Sequence, residues 1–386
     1  MILPYSKWPI YDRTLIRSIS KIISSGKVNY LFGKYGREFE EKFSNFHKIK
    51  YSVAVSNGTV GLELALASLN FKKDDEVLVT PRSYYSSASC IIRNNLKPIF
   101  VDIDPSTQNI CIKDIKRKFT RRTKCIICVH LGGLPCDMKN IIHFAKKNNL
   151  RVIEDCSQAH GASIKKKYVG TFGDIGVWSF CNDKIISTLG EGGMISTNNK
   201  KLFEKIWALK DIGKSYSKFM NKDKKNYKFR WLHDSIGTNA RMTEIQAYSG
   251  IYQLRNLNKF IYLRKKNSEY IFNQLKSIPC LKFLKTPNNT KNVYYRFNFL
   301  FDESYNSKKL SRDIILKDMS NKINIREGSC PEIYQEKYFK ENFNFSCPNA
   351  KYIGKNSLSL QVDHTINNKN LIKMTNLLKN YLESKL

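Results

Sequence analysis

"YSVAVSNGTVGLELALASL" (Tyr51–Leu69) decides how the chain is put together. "YSVAVS" reads as a short strand and Asn-Gly-Thr as a turn, and Leu62, Ala65, Leu66 and Leu69 recur at helical spacing. A strand that turns straight into an apolar-striped helix is half of a crossover unit, because parallel strands need a helix to carry the chain back. Working outward, "EVLVT" (Glu76–Thr80), "KPIFVDI" (Lys97–Ile103), "CIICVH" (Cys125–His130) and "RVIEDC" (Arg151–Cys156) repeat the strand character, with helical patterns between them. The spacing predicts an α/β fold with a largely parallel, buried sheet. Ile206–Arg230 reads as a loop excursion. "RMTEIQAYSGIYQLRNLNKFIYLRKKNSEYIFNQL" (Arg241–Leu275) reads as a long helical segment, and strand-like and helix-like pieces resume from about Val293. A large domain over 1–250 is expected, then a linking helix and a small α+β domain over 251–386.

With 386 residues and 41% hydrophobic content, the chain can bury one large core and a smaller one. No apolar run reaches the roughly eighteen residues that crossing a membrane requires. The start, "MILPYSKWPIYDR", lacks the charged-then-apolar order of a signal peptide, so a cytoplasmic protein is expected. The formal charge of +33 raises the possibility of a nucleic-acid binder. Against that, the lysines are spread along the chain, and clusters such as "KRKFTRRTK" (Lys116–Lys124) and "KDKKNYKFR" (Lys222–Arg230) are short and unpatterned. They read as solvated faces, and neither a nucleic-acid nor a membrane partner is expected. Of the ten cysteines, only Cys125 and Cys128 form a C-x-x-C, flanked by isoleucine and valine and with no second ligand pair. They read as buried strand residues, with no metal and no disulfide expected.

Three further features carry chemistry. In "WSFCNDKIISTLGEGGM" (Trp178–Met194), Lys184 follows a Ser-Phe pair and precedes a Gly-Glu-Gly-Gly turn, a setting that presents an amine to an aldehyde. A free lysine titrates near about 10.4, so the site must control its proton. Asp155 ends the strand "RVIED", where ligands of parallel sheets bind, outside the carboxyl ends of the strands. A carboxylate about 4 Å from a pyridine nitrogen is worth about 4 kcal/mol at an effective dielectric near 20, enough to keep that ring protonated. Gly58 and Thr59 open a helix after a strand, where backbone N–H groups and the helix dipole favour phosphate. Ser179 can add its hydroxyl to the same phosphate, Gln158 can bond the ring oxygen, and Tyr84 in "TPRSYYSSAS" (Thr80–Ser89) can stack on the ring, with Tyr85 as its competitor. An aldehyde-trapping amine, an acid for a ring nitrogen and a phosphate cradle together point to pyridoxal 5'-phosphate. Glu154 and His160 read as structural neighbours.

The order of "SGKVNYLFGKYGREFEEKF", "SNGT", "TPRSYYSS", "PIFVDID", "IEDCSQAHGA", "GDIGVWSFCNDK", "GEGGM" and "IGTNARMTEIQAYSGIYQL" resembles that of DegT/DnrJ/StrS-type sugar aminotransferases, with a weaker trace in "YYRFNF" and "KNSLSLQVDHT". The resemblance implies a type I, aspartate aminotransferase-like fold and a homodimer whose active sites lie at the subunit interface. It implies that Lys184 carries the cofactor covalently and that Asp155 pairs with the pyridine nitrogen. Tyr84 takes the stacking position, Gln158 contacts the ring, and Gly58, Thr59 and Ser179 bind the phosphate. Asn239 matches the residue that reaches the neighbouring subunit's phosphate. Ser157 and Gly61 stand where alanine is usual in the family, and Gly213–Leu232 is longer than in many members. Some relatives carry histidine in place of the lysine and dehydrate their sugars; Lys184 favours transamination. The implied reaction passes an amino group from L-glutamate, through pyridoxamine phosphate, to a 3- or 4-keto nucleotide-linked deoxysugar, in amino-sugar biosynthesis for surface polysaccharide. A sugar dehydratase and a non-catalytic cofactor-binding regulator are the alternatives on the same fold.

Overall fold

Seven strands make the large sheet: β1 (Tyr51–Val55), β2 (Glu76–Val79), β3 (Lys97–Phe100), β4 (Thr123–Val129), β5 (Arg151–Asp155), β6 (Ile175–Ser179) and β7 (Gly193–Thr197). Their order is β1-β7-β6-β5-β4-β2-β3, and β7 alone runs against its neighbours. The structure, a computed structural model, describes residues 5–221 and 231–386. The "KDKKNYKFR" cluster, the middle of Gly213–Leu232 and Met1–Pro4 lie outside the described residues.

Both faces of the sheet are covered, which is why its strands are so uniformly apolar. Val77, Val79, Ile127, Ile153 and Val177 point to one face and pack with Leu62 and Leu66. Leu78, Ile126, Cys128 and Val152 point to the other and pack with Ile141 and Ala145. Cys125 and Cys128 are therefore core residues of β4, on opposite faces, and burial pushes both thiols up. All ten cysteines are free.

The long helix Glu244–Leu275 begins at Thr243 with a capping box closed by Gln246. Its first half packs on the helix Tyr35–His47, and Ile271 and Leu275 at its end enter a separate cluster with Phe299, Phe301, Leu358 and Leu378. A four-stranded antiparallel sheet backs that cluster, built from Leu281–Phe283, Phe297–Phe301, Ser357–Leu360 and Ile325–Arg326 in that order. This sheet starts before Val293; a three-residue strand shows no period in sequence. Residues Lys200–Lys210 form a helix instead of the start of a loop excursion, since Phe203, Ile206, Trp207 and Lys210 are buried at helical spacing. Among the described residues, no helix is long and apolar enough to cross a membrane.

Candidate active site

The carboxyl ends of β1, β2, β4, β5 and β6 open onto one edge of the sheet, and the loops that follow them build two cavities. The first, of about 400 Å³, is lined by Asn57, Gly58, Thr59, Asp155, Ser179 and Lys184 among others. The Asn57 side chain accepts from the Val60 N–H at 2.9 Å and caps the helix Gly58–Ala67. The Gly58 and Thr59 N–H groups lie in that first turn, where an α-helix offers no internal acceptor. A Cβ on Gly58 would lie 2.8 Å from Ser179 Cβ, so glycine lets the helix start directly against that serine. A Cβ on Gly193 would lie 2.6 Å from the Asn57 carbonyl, which fixes the helix start from its other side. Gly58, Thr59 and Ser179 thus meet at one end of the cavity.

Asp155 and its neighbour Glu154 are both buried, yet they are used differently. Glu154 accepts from the Gly170, Phe172 and Gly173 N–H groups at 2.8, 2.7 and 2.7 Å. His130 Nδ1 accepts from the Cys136 N–H at 3.0 Å, so its proton sits on Nε2, which donates to Glu154 Oε2 at 3.1 Å. The ligand-bearing atoms of His130, Glu154 and Cys156 lie within 4.8 Å of one another, but those of His130 and Glu154 are already committed to these bonds. Asp155 instead lines the cavity, with Oδ2 accepting from Ser87 Oγ at 2.9 Å and Oδ1 from the Ser157 N–H at 3.1 Å. Ser87 and Ser83 share a hydrogen bond at 2.8 Å, so a hydroxyl chain orients the carboxylate.

Lys184 lies on the connection between β6 and β7, with its backbone carbonyl accepting from Trp8 Nε1 at 2.8 Å. Neither strand was expected from sequence: Gly176 interrupts the apolar run of β6, and β7 opens on Gly193 and closes on Ser196 and Thr197. Lys184 Nζ is 3.6 Å from Asp183 Oδ1 and 5.1 Å from the Tyr295 ring centre. Burial pushes the ammonium down, but Tyr295, Asp183, Cys181 and Asp155 outweigh it, and the net shift is upward.

The second cavity, of about 520 Å³, shares Ser83, Tyr84, Gln158, Asp183 and Lys184 with the first. It adds Arg82, Tyr295, Arg296, Arg326 and Glu327, none assigned a role from sequence. Arg82 is buried, and its Nε donates to Gln108 Oε1 at 3.1 Å; burial lowers it to about 10. Tyr84, 69% exposed, lines both cavities, whereas Tyr85 lines only the second and packs edge-on to Phe339 at 5.5 Å. Gln158 lines both too, and its Oε1 accepts from the Gly132 N–H at 2.7 Å. Asn239 is exposed and lies outside both cavities, although the next residue, Ala240, accepts from the Ser56 N–H at 2.9 Å beside the helix start. His160 is packed against Trp178 and Phe180, and burial lowers it to about 3.

Residues 9–379 match the DegT/DnrJ/EryC1/StrS aminotransferase family. The chain belongs to that family. It is 35% identical over 340 residues to the GDP-perosamine synthase of Escherichia coli O157:H7, covering 88% of each chain. Its fold matches a crystal structure of an aminotransferase from Psychrobacter cryohalolentis with a TM-score of 0.96 and 36% identity, over 99% of this chain and 100% of that one. An E. coli GDP-4-keto-6-deoxy-D-mannose-3-dehydratase with bound hydrated PLP aligns with a TM-score of 0.87 and 25% identity, over 99% and 100% of the two chains. The protein is thus a type I-fold, PLP-dependent aminotransferase whose relatives include nucleotide-sugar aminotransferases. Its residues fit pyridoxal phosphate on their own terms: a helix start closed only by glycine, a buried carboxylate facing the cavity, and an amine between them.

Proposed function

We propose that this aminotransferase passes an amino group from L-glutamate to the 3- or 4-keto group of a nucleotide-linked deoxysugar, in amino-sugar biosynthesis for surface polysaccharide. The observation that carries the reading is the single cavity holding Lys184, Asp155 and the Gly58–Ser179 contact. Pyridoxal phosphate, when bound, supplies an electrophilic aldehyde and a protonated ring that withdraws electrons. Lys184 would hold it covalently, Asp155 would keep its ring nitrogen protonated, and Gly58, Thr59 and Ser179 would take the phosphate. Tyr84 would cover the ring and Gln158 would contact the ring oxygen. Lys184 Nζ then takes the donor's α-proton, while the Ser87 hydroxyl keeps the Asp155 carboxylate in place. The second cavity is where donor and sugar enter in turn, since Arg82, Arg296 and Arg326 can meet carboxylate and phosphate there.

Supporting the sugar class is the similarity to proteins named GDP-perosamine synthase, at 35% and 32% identity in Escherichia coli and Vibrio cholerae, and dTDP-3-amino-3,6-dideoxy-alpha-D-galactopyranose transaminase, at 34% in Aneurinibacillus thermoaerophilus. Domains over 1–250 and 251–386 are part of the proposal, supported by a small-sheet cluster whose buried residues run from Ile271 to Leu382. So are a cytoplasmic location and a homodimer in which Asn239 serves the partner's site, supported by its exposed side chain. Absorbance of the protein with pyridoxal phosphate, before and after L-glutamate, tests the core of the reading. A visible band should form and give way to the ultraviolet band of the pyridoxamine form, with one 2-oxoglutarate per site; a band that ignores glutamate sinks the donor assignment. For the shared site, Asn239→Ala should weaken cofactor binding about tenfold, and mixing it with Lys184→Ala should restore part of the activity through hybrid dimers. Absence of complementation would place each site within one chain.

A further inference from the structure

The Lys184 amine has a partner that the reading above does not use. Asp183 Oδ1 lies 3.6 Å from Nζ. Its Oδ2 is held from the other side, where the Tyr295 hydroxyl donates to it and Arg296 Nη2 stands 3.7 Å away. Tyr295 and Arg296 immediately precede the small-sheet strand Phe297–Phe301, so the carboxylate beside the lysine is clamped by a segment 112 residues further along the chain. The other groups facing the amine are committed elsewhere. Asp155 is bonded by Ser87 and Ser157, Cys181 is a thiol, and His160 is packed between aromatic rings. Among the described residues, Asp183 is the carboxylate that pairs with Lys184.

We propose that Asp183 is a positioning residue for Lys184: held by the Tyr295 hydroxyl, it keeps the ammonium form of Nζ in the cavity while the amine carries its proton. The inference rests on the reading of Lys184 as the proton-carrying amine. The proton leaves the donor's α-carbon and its bonding pair stays behind; Nζ gains the proton and one positive charge, which Asp183 balances. Arg296 opposes this, because it draws on the same carboxylate, and it sets how much of that charge Lys184 feels.

Trace acylation of the cofactor-free, full-length protein with acetic anhydride tests this directly, because only the neutral amine reacts. Labelling of Lys184, read by mass spectrometry at a fixed, mildly alkaline pH, should rise about tenfold in Asp183→Asn, the equivalent of about one pH unit. Asp183→Glu should restore the slow rate. Arg296→Gln should slow labelling below that of the unaltered protein. An unchanged rate in Asp183→Asn, with helix content and Tm preserved, overturns the proposal. Asp183 is 48% exposed, so asparagine is readily accommodated. Should that variant fold poorly, faster or unchanged labelling in Arg296→Gln overturns the proposal equally. Titration of the unaltered protein with pyridoxal phosphate keeps the two ideas apart: no visible band would remove the reading of Lys184 as the cofactor amine, while the labelling rates still decide whether Asp183 governs its charge.

Discussion

The two cavities on either side of Lys184 are built on different principles. The one holding Asp155 is walled by strand ends and a helix start that touch without room for a methyl group, and beside the hydroxyls of Thr59 and Ser179 it carries the charges of Asp155, Asp183, Lys184 and Glu191. The one holding Arg82, Arg296 and Arg326 is walled by charged side chains drawn from distant parts of the chain and balanced against Asp183, Glu327 and Glu336. A pocket walled by backbone in close contact suits a ligand that stays; one walled by long charged side chains, which can exchange partners, suits ligands that come and go. The contrast teaches where substitutions should alter chemistry, where stability and where affinity.

Lys184→Ala gives the largest expected effect. Turnover with L-glutamate should fall by about 10³-fold or more, and the visible cofactor band should vanish while the circular dichroism spectrum is kept. Measurable turnover would break the assignment of the amine. Next come the adjacent carboxylates. Asp155→Asn should cost roughly 10²-fold in kcat, in keeping with an interaction of about 4 kcal/mol that is only partly lost, and leave Tm nearly unchanged. Glu154→Gln should do the reverse, lowering Tm by several degrees because buried N–H donors lose their acceptor at about 1–3 kcal/mol. An equal Tm loss in both would erase the distinction drawn between them. In the second cavity, Arg326→Ala should raise KM for the sugar about tenfold and change kcat little; a fall in kcat alone would place Arg326 with the chemistry instead.

A further effect is expected on pH. Burial holds His47, His160 and His364 near about 3, against an ordinary 6.5. As pH falls through that window the unfolded chain binds protons that the folded one refuses, so stability falls with falling pH. Tm should be a few degrees lower near about pH 5 than near about pH 7. A flat profile would mean that these rings take up protons while folded.

What sequence makes legible here is what is local. Asn57, Gly58 and Thr59 are consecutive, Asp155 ends a strand that reads as one, and Lys184 stands five residues after Ser179. Ser87 escaped notice because its bond to Asp155 spans 68 positions, although it lies in the same "TPRSYYSS" run as Tyr84. Arg296 and Tyr295 escaped for the same reason, being brought to Asp183 by the return of the chain through the small sheet. β6 and β7 were hidden by the glycines that let them pack closely: a Cβ on Gly176 would lie 2.8 Å from Gly170. Close packing asks for small residues, and these erase the alternation by which a strand is recognised.

The antiparallel strand β7 has a consequence of its own. It is the return arm of a hairpin whose outgoing arm ends at Ser179, so both arms abut the start of the helix Gly58–Ala67, and Lys184 rides on the bend between them. Lys184 and the pocket proposed for the phosphate are therefore two marks on one ruler, and a drift of the helix or either arm carries both along. Cofactor analogues in which the spacer between aldehyde and phosphate is longer or shorter by one atom should miss one mark or the other, so the hairpin selects its ligand by length as well as by charge.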